Sequence, residues 1–169
     1  MPILDARSLD FVSHSADQTQ RLGVRLGELL SGRDLVCLSG ELGAGKTTLM
    51  IGIARGWGAL DQVSSPSFVL VNEYRRADAA VLYHMDAFRL DGPRAALESG
   101  LLDVFDGQGD LVVEWPERIL AALPAERLWI SLRWVEEQKR SLHFEAAGLR
   151  YEKLLADFKE SAFGRSWMM

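Results

Sequence analysis

The segment Gly40-Glu41-Leu42-Gly43-Ala44-Gly45-Lys46-Thr47-Thr48 fits the pattern G-x-x-x-x-G-K-[ST]. Residue types at this spacing bind phosphate groups. Glycines let the backbone curl until successive N–H groups point at phosphate oxygens. A helix beginning at the loop adds its N-terminal N–H groups and the positive end of its dipole. Lys46 is placed to set a point charge against the β/γ-phosphates, and the Thr47 hydroxyl to ligate Mg²⁺. Hydrolysis asks for more than binding, namely a held Mg²⁺ and a positioned water. Two acids that end apolar runs can supply these: Asp86 after Val81-Leu82-Tyr83-His84-Met85, and Glu114 after Leu111-Val112-Val113. Ligands of α/β sheets sit at the carboxyl ends of parallel strands. Glu114 ends the cleaner strand and is the first choice for the Mg²⁺ shell, directly or through water. Asp86 is the alternative, orienting the attacking water or the metal.

These groups need a scaffold, and the hydrophobic pattern provides one. Leu35-Val36-Cys37-Leu38 before the loop reads as a buried strand, and Leu49, Met50 and Ile53 after it have helical spacing. That helix stops at Gly56-Trp57-Gly58. Upstream, Leu9 to Val12 is a possible strand. Ser15-Ala16-Asp17-Gln18 is a capping-box pattern opening a helix with Leu22, Leu26, Leu29 and Leu30 on one face, closed by Ser31-Gly32-Arg33-Asp34. Ser64-Ser65-Pro66-Ser67 signals a turn. Phe68 to Tyr74 and Ala80 to Met85 then read as antiparallel neighbours joined by a short polar link. Short helical stretches are expected from Pro93 to Glu98 and from Leu101 to Phe105, an interior strand at Leu111–Val113, and a helix from Pro116 through Leu123. Arg127 to Val135 alternates, with Leu128, Ile130, Leu132 and Trp134 on one side. A charged turn over Glu136–Arg140 and a second alternating run over Ser141–Ala146 complete a hairpin with one wet face. A last helix covers Leu149–Phe158, and Gly164–Met169 reads as a loose tail. The expected fold is α/β, a single domain over residues 1–169 in which a mixed sheet is flanked by helices as a three-layer sandwich.

Composition narrows the function classes. The chain has 169 residues, 48% hydrophobic and 25% charged, as an ordinary globular domain does. A net charge of −5 gives no general drive toward nucleic acid or an anionic membrane, so contact with an RNA is expected to be local or through a partner. The single cysteine, Cys37, excludes an internal disulfide and a cysteine-cluster metal site, and it reads as a small core residue. No apolar run approaches a membrane span, and Met1–Asp5 lacks the basic-then-apolar start of a secretory signal. A cytoplasmic protein is expected, with no membrane partner.

Other residues near the acids invite a role. His84 and Asp86 share one face of a strand, and His84 reads first as a hydrogen-bonded structural group. Arg89 suits a phosphate or a salt bridge equally. Ser65 and Ser67 lie where nucleotide switches present a hydroxyl to Mg²⁺ or the γ-phosphate. Trp115 suits packing better than stacking. No N-K-x-D tetrapeptide for guanine occurs, which favours ATP. The alternatives to an ATPase are a small-molecule kinase using the same loop and a nucleotide-gated binding module with negligible turnover.

In order along the chain stand Gly40-Glu41-Leu42-Gly43-Ala44-Gly45-Lys46-Thr47-Thr48, Ser65-Pro66-Ser67-Phe68, His84-Met85-Asp86-Ala87-Phe88-Arg89-Leu90 and Val113-Glu114-Trp115-Pro116. Together they resemble the signature of TsaE, the bacterial P-loop ATPase needed to form threonylcarbamoyladenosine on tRNA. The resemblance implies a P-loop fold and ATP held by Glu41, Leu42, Gly43, Ala44, Gly45, Lys46, Thr47 and Thr48 with Ser67. It implies Mg²⁺ near Thr47 and Glu114, with Asp86 also acidic in the site, and it makes Lys46, Asp86 and Glu114 the catalytic set. It implies work with the proteins TsaD and TsaB, tRNA being reached through that complex, and hydrolysis that resets the machinery between rounds. Ser67 stands where the family usually has Thr, which keeps a hydroxyl. Phe68 stands where Tyr is frequent, which removes a phenol and any hydrogen bond it made.

Overall fold

A computed structural model describes residues 5–60, 71–90, 92, 94–95 and 109–164. The expected Ser64–Ser67 turn, the start of the strand at Phe68, the Pro93–Glu98 and Leu101–Phe105 stretches (Arg94 and Ala95 apart) and the tail beyond Gly164 lie outside the described residues. The strands are β1 (Ser8–Ser13), β2 (Leu35–Ser39), β3 (Val71–Arg75), β4 (Val81–Asp86), β5 (Gly109–Glu114), β6 (Arg127–Glu136) and β7 (Lys139–Ala147). Among the described residues the α-helices are α1 (Ala16–Gly27), α2 (Lys46–Trp57) and α3 (Leu149–Phe163), Arg94 and Ala95 are also helical, and a 3₁₀ helix spans Pro116–Ala122.

The strands form one seven-stranded sheet in the order β1-β7-β6-β2-β5-β4-β3. At its centre β6, β2, β5 and β4 run parallel, so their carboxyl ends share one edge. The β3–β4, β6–β7 and β1–β7 pairs are antiparallel, which makes the sheet mixed as expected. Alternation along the central strands splits the core between two faces. Val36, Leu38, Leu82 and Val112 face α1, α2 and α3. Leu35, Cys37, Met85, Leu111 and Val113 face Ile119 of the 3₁₀ helix and Leu123 just after it. Helices α1, α2 and α3 pack on one face, and Ala95, a described helical residue, packs on the other.

Helices α1 and α2 cross closely because each carries a glycine stripe, Gly23 and Gly27 against Gly52 and Gly56. A Cβ on Gly27 would collide with the Ile53 carbonyl, and one on Gly56 with that of Val24. This contact fixes the start of α1 relative to the start of α2, which is the end of the phosphate loop.

Several local expectations change. Helix α1 ends at Gly27, not beyond Leu30. The Leu29 and Leu30 N–H groups bond to the Leu26 and Gly27 carbonyls, a three-residue spacing that tightens the chain into a turn, and Arg150 Nη2 caps the Leu29 carbonyl at 3.0 Å. The Pro116 segment is 3₁₀ and kinked, with Ile119 at φ −131° and ψ 26°, because its anchors Pro116 and Ile119 must reach the core from a chain just leaving β5. The charged turn is shorter than Glu136–Arg140: β6 continues to Glu136 through an irregularity after Trp134, β7 begins at Lys139, and Arg140 is a strand residue. Trp134 departs from the buried side of β6 and is 60% exposed. The pairing of β2 with β6 ends at Ser39–Ser131, so Trp134 runs past the core edge with only β7 beside it. The last helix runs on to Phe163, whose ring meets Phe11 at 5.0 Å.

Candidate nucleotide site

A cleft of about 470 Å³ opens at the carboxyl edge of the parallel strands. Its floor is the loop between β2 and α2. Gly43 and Gly45 adopt φ of 82° and 108°, which a side chain rarely tolerates, so the curl of the loop depends on them. The backbone ladder of α2 begins with Leu49 N–H donating to the Gly45 carbonyl at 2.9 Å. The N–H groups of Lys46, Thr47 and Thr48 therefore precede the ladder at the positive end of the helix, and the Gly45 cap supplies no side chain to cover them.

Of the expected nucleotide contacts, Glu41, Leu42, Gly43, Gly45, Lys46, Thr47 and Thr48 line the cleft. Ala44 does not: its side chain is buried and its N–H donates to the Glu41 carbonyl at 3.1 Å, holding the loop's shape from beneath. Ser67 lies outside the described residues. Lys46 is 6% exposed. Its ammonium donates to the Gly40 carbonyl and, at 3.2 Å, to that of Glu41, and it sits 4.1 Å from the Trp115 ring centre. Burial pulls its pKa down, and the nearby Glu114, Glu117, Asp86 and Glu41 carboxylates work against that shift.

The strand register brings the two acids together. Asp86 at the end of β4 pairs with Glu114 at the end of β5, and Glu114 in turn lies opposite Leu38 next to the loop. Both line the cleft, Glu114 buried and Asp86 half-buried. Asp86 Oδ1 accepts from the Phe88 N–H at 2.9 Å, and Glu114 Oε2 lies 2.6 Å from His84 Nε2. Trp115 holds a left-handed backbone (φ 58°) that is unusual for a bulky residue, and its ring packs on Phe88 at 4.9 Å. Packing thus describes Trp115 as expected, with a cation–π contact to Lys46 added. Arg89 is exposed and is not among the lining residues. Cys37 is buried and its thiol is pushed up to about 12 by burial, the state of an inert core residue.

Residues that pattern reading passed over also line the cleft: Ala16 and Thr19 at the start of α1, and Glu137, Gln138 and Arg140 at the hairpin turn. The donor set suits a magnesium nucleotide. It offers backbone N–H groups and one ammonium for phosphate, and a hydroxyl and two carboxylates, hard oxygen ligands, for a divalent cation.

A parallel-centred α/β sheet with a glycine loop opening a helix at its carboxyl edge defines a P-loop protein. The family model described as threonylcarbamoyl adenosine biosynthesis protein TsaE matches residues 13–142. A tRNA threonylcarbamoyladenosine biosynthesis protein TsaE from Bacillus subtilis is 42% identical over 121 residues, 72% of this chain and 75% of that one. The protein of the same description from Treponema pallidum is 37% identical over 131 residues, 78% and 96% of the two chains. The crystal structure of Bacillus subtilis YdiB superposes with a TM-score of 0.77 at 31% identity, covering 95% of this chain and 98% of the other. This chain belongs to the TsaE family.

Proposed function

We propose that this chain is a Mg²⁺-dependent ATPase that acts in forming the threonylcarbamoyl group on adenosine 37 of tRNA. The observation that carries the reading is the convergence of Lys46, Asp86 and Glu114 on one cleft at the mouth of the phosphate loop. The N–H groups of the loop and of the first turn of α2 bind the phosphates, and Lys46 turns from the Gly40 and Glu41 carbonyls toward the β/γ-phosphates. Thr47 and Glu114 hold Mg²⁺, which supplies charge neutralisation on the phosphate oxygens. Asp86 orients the attacking water or the metal shell. Ser67 contributes a hydroxyl to the γ-phosphate or the metal. The nucleoside extends toward Ala16, Thr19 and the hairpin turn, which also line the cleft.

Hydrolysis serves a complex with TsaD and TsaB, tRNA being engaged through those partners. The family membership and the acidic net charge support this division of labour. Among the described residues no helix is long and apolar enough to cross a membrane, and work on tRNA suits a cytoplasmic setting.

The test is incubation with γ-labelled ATP and Mg²⁺, with and without TsaD and TsaB. Free phosphate, released faster with partners, is the expected product. Label transferred to a small metabolite would make the chain a kinase. Partner assembly on ATP with no label released would make it a nucleotide-gated binder.

A further inference from the structure

We propose that His84 is a positioning residue that fixes the Glu114 carboxylate toward the cleft, with Tyr74 setting the tautomer of His84. The inference rests on reading the cleft as a magnesium nucleotide site. A buried histidine is usually a satisfied structural group. Here the group that satisfies it is a carboxylate lining the cleft, at 2.6 Å, with His84 and Glu114 buried on adjacent strands.

The direction of the hydrogen bonds follows from the chemistry of each partner. Glu114 as a carboxylate only accepts, so His84 donates through Nε2–H. When the ring carries only that proton, Nδ1 is an acceptor, and it lies 3.5 Å from the Tyr74 hydroxyl, which is placed to donate to it. The Tyr74 oxygen accepts from the Asn72 amide at 3.4 Å. Asn72 to Tyr74 to His84 to Glu114 is thus a row of donors running one way, from the outermost strand β3 of the sheet to the cleft. Tyr74 is buried, and its ring lies near-parallel to that of His84, 6.2 Å between centres with 27° between planes. With Oε2 bonded to His84, Glu114 still lines the cleft, and among the described residues no hydrogen bond engages its Oε1. A glutamate has several rotatable bonds, and near the Lys46 ammonium it could swing to a direct ion pair. The His84 bond selects the rotamer that leaves Lys46 to the phosphates. Outer partners of this kind typically affect metal affinity or activity by about 10–100-fold.

The first measurement needs no turnover. The chain has three histidines, so long-range ¹H–¹⁵N spectra of the imidazoles resolve His84 by comparison with a His84→Gln variant. At pH 8 the expected state is the Nε2–H tautomer, and Tyr74→Phe should populate the other tautomer as well. An Nδ1–H tautomer in the parent would overturn the proposal, since that ring has no proton to give Glu114.

The second measurement is ATP affinity with and without Mg²⁺ for the parent, His84→Gln and His84→Leu. Glutamine keeps a donor near the Nε2 position, and leucine keeps only bulk. The leucine variant is expected to lose about ten-fold of the Mg²⁺-promoted gain in affinity, and the glutamine variant under about three-fold, with Mg²⁺-free affinity equal in all. A leucine variant matching the parent, or glutamine and leucine variants falling equally, overturns the assignment. A parent that binds ATP no better with Mg²⁺ would sink the reading of the cleft itself, while the tautomer still reports on the His84–Glu114 bond.

Discussion

Arg140 Nε donates to the carbonyl of Gly43 at 3.1 Å, across 97 positions of sequence. Its Nη1 donates to the carbonyls of Glu136, Glu137 and Lys139, so one guanidinium ties the hairpin turn to the phosphate loop. The loop is otherwise exposed at Glu41, Leu42 and Gly43, and the tie limits how far it can open. Arg140→Ala is expected to weaken ATP binding by about five-fold, roughly 1 kcal/mol, a modest value because these bonds are partly solvated. Arg140→Lys is expected to fare little better, since an ammonium cannot span both sites as the planar fork does. Titration calorimetry checks this, and unchanged affinity in the alanine variant would release Arg140 from the site.

The glycine stripe gives a prediction whose sign is the test. In an ordinary helix Gly→Ala stabilises by about 1 kcal/mol. Gly27→Ala is expected to destabilise the protein by about 1–3 kcal/mol, because the added methyl meets the Ile53 carbonyl of α2. Urea denaturation decides the sign. The same variant displaces Ala16 and Thr19 at the cleft, so its ATP affinity should fall too. A stabilised Gly27→Ala protein would mean that the helices do not cross as closely as described.

Much of the phosphate loop could be read directly, because its chemistry is local: glycines, Lys46 and Thr47 act within one turn of chain, and β2 and β5 announce themselves by unbroken apolar runs. Asp86 and Glu114 were legible for a related reason, since both end such runs and the parallel register then makes them neighbours. Arg140 was not, because a charged residue near a turn looks solvated until the hairpin folds back over the loop. The His84–Glu114 bond was also out of reach, since a pattern gives the face of a strand but not its diagonal neighbour. The glycine stripe was present as G-x-x-x-G in both Gly23–Gly27 and Gly52–Gly56, and only the pairing of the two helices gives it meaning. Trp134 misled because alternation continues past the point where the sheet stops covering it.

At the opposite edge of the sheet, Asp34 and Asp110 should oppose each other in acid. Burial alone would raise Asp34, but hydrogen bonds from Arg150, at 2.9 and 2.7 Å, and from Ser31 outweigh it and hold the carboxyl below its usual range. Its stabilisation is present above the unfolded pKa of about 3.9 and is lost as pH falls through the lower folded value. Asp110 is raised by burial despite accepting N–H bonds from Asp34 and Gly32. Its contribution is present below the unfolded pKa and is lost as pH rises through the folded value. Arg150→Met is expected to cost about 1.5–3 kcal/mol at pH 7, with the difference from the parent shrinking below about pH 4. Denaturation at both pH values tests this, and an equal difference at each would separate Arg150 from the charge of Asp34.

The claim that this cleft hydrolyses ATP meets its most direct test in phosphate release from ATP and Mg²⁺ by the parent, Lys46→Ala and Glu114→Ala, at ATP concentrations that also give each affinity. Steady release is expected from the parent, and neither binding nor release from Lys46→Ala. For Glu114→Ala the expected affinity is within about ten-fold of the parent's, and turnover lower by about 100-fold or more. Parental affinity in Lys46→Ala, or a parental rate in Glu114→Ala, would contradict the claim.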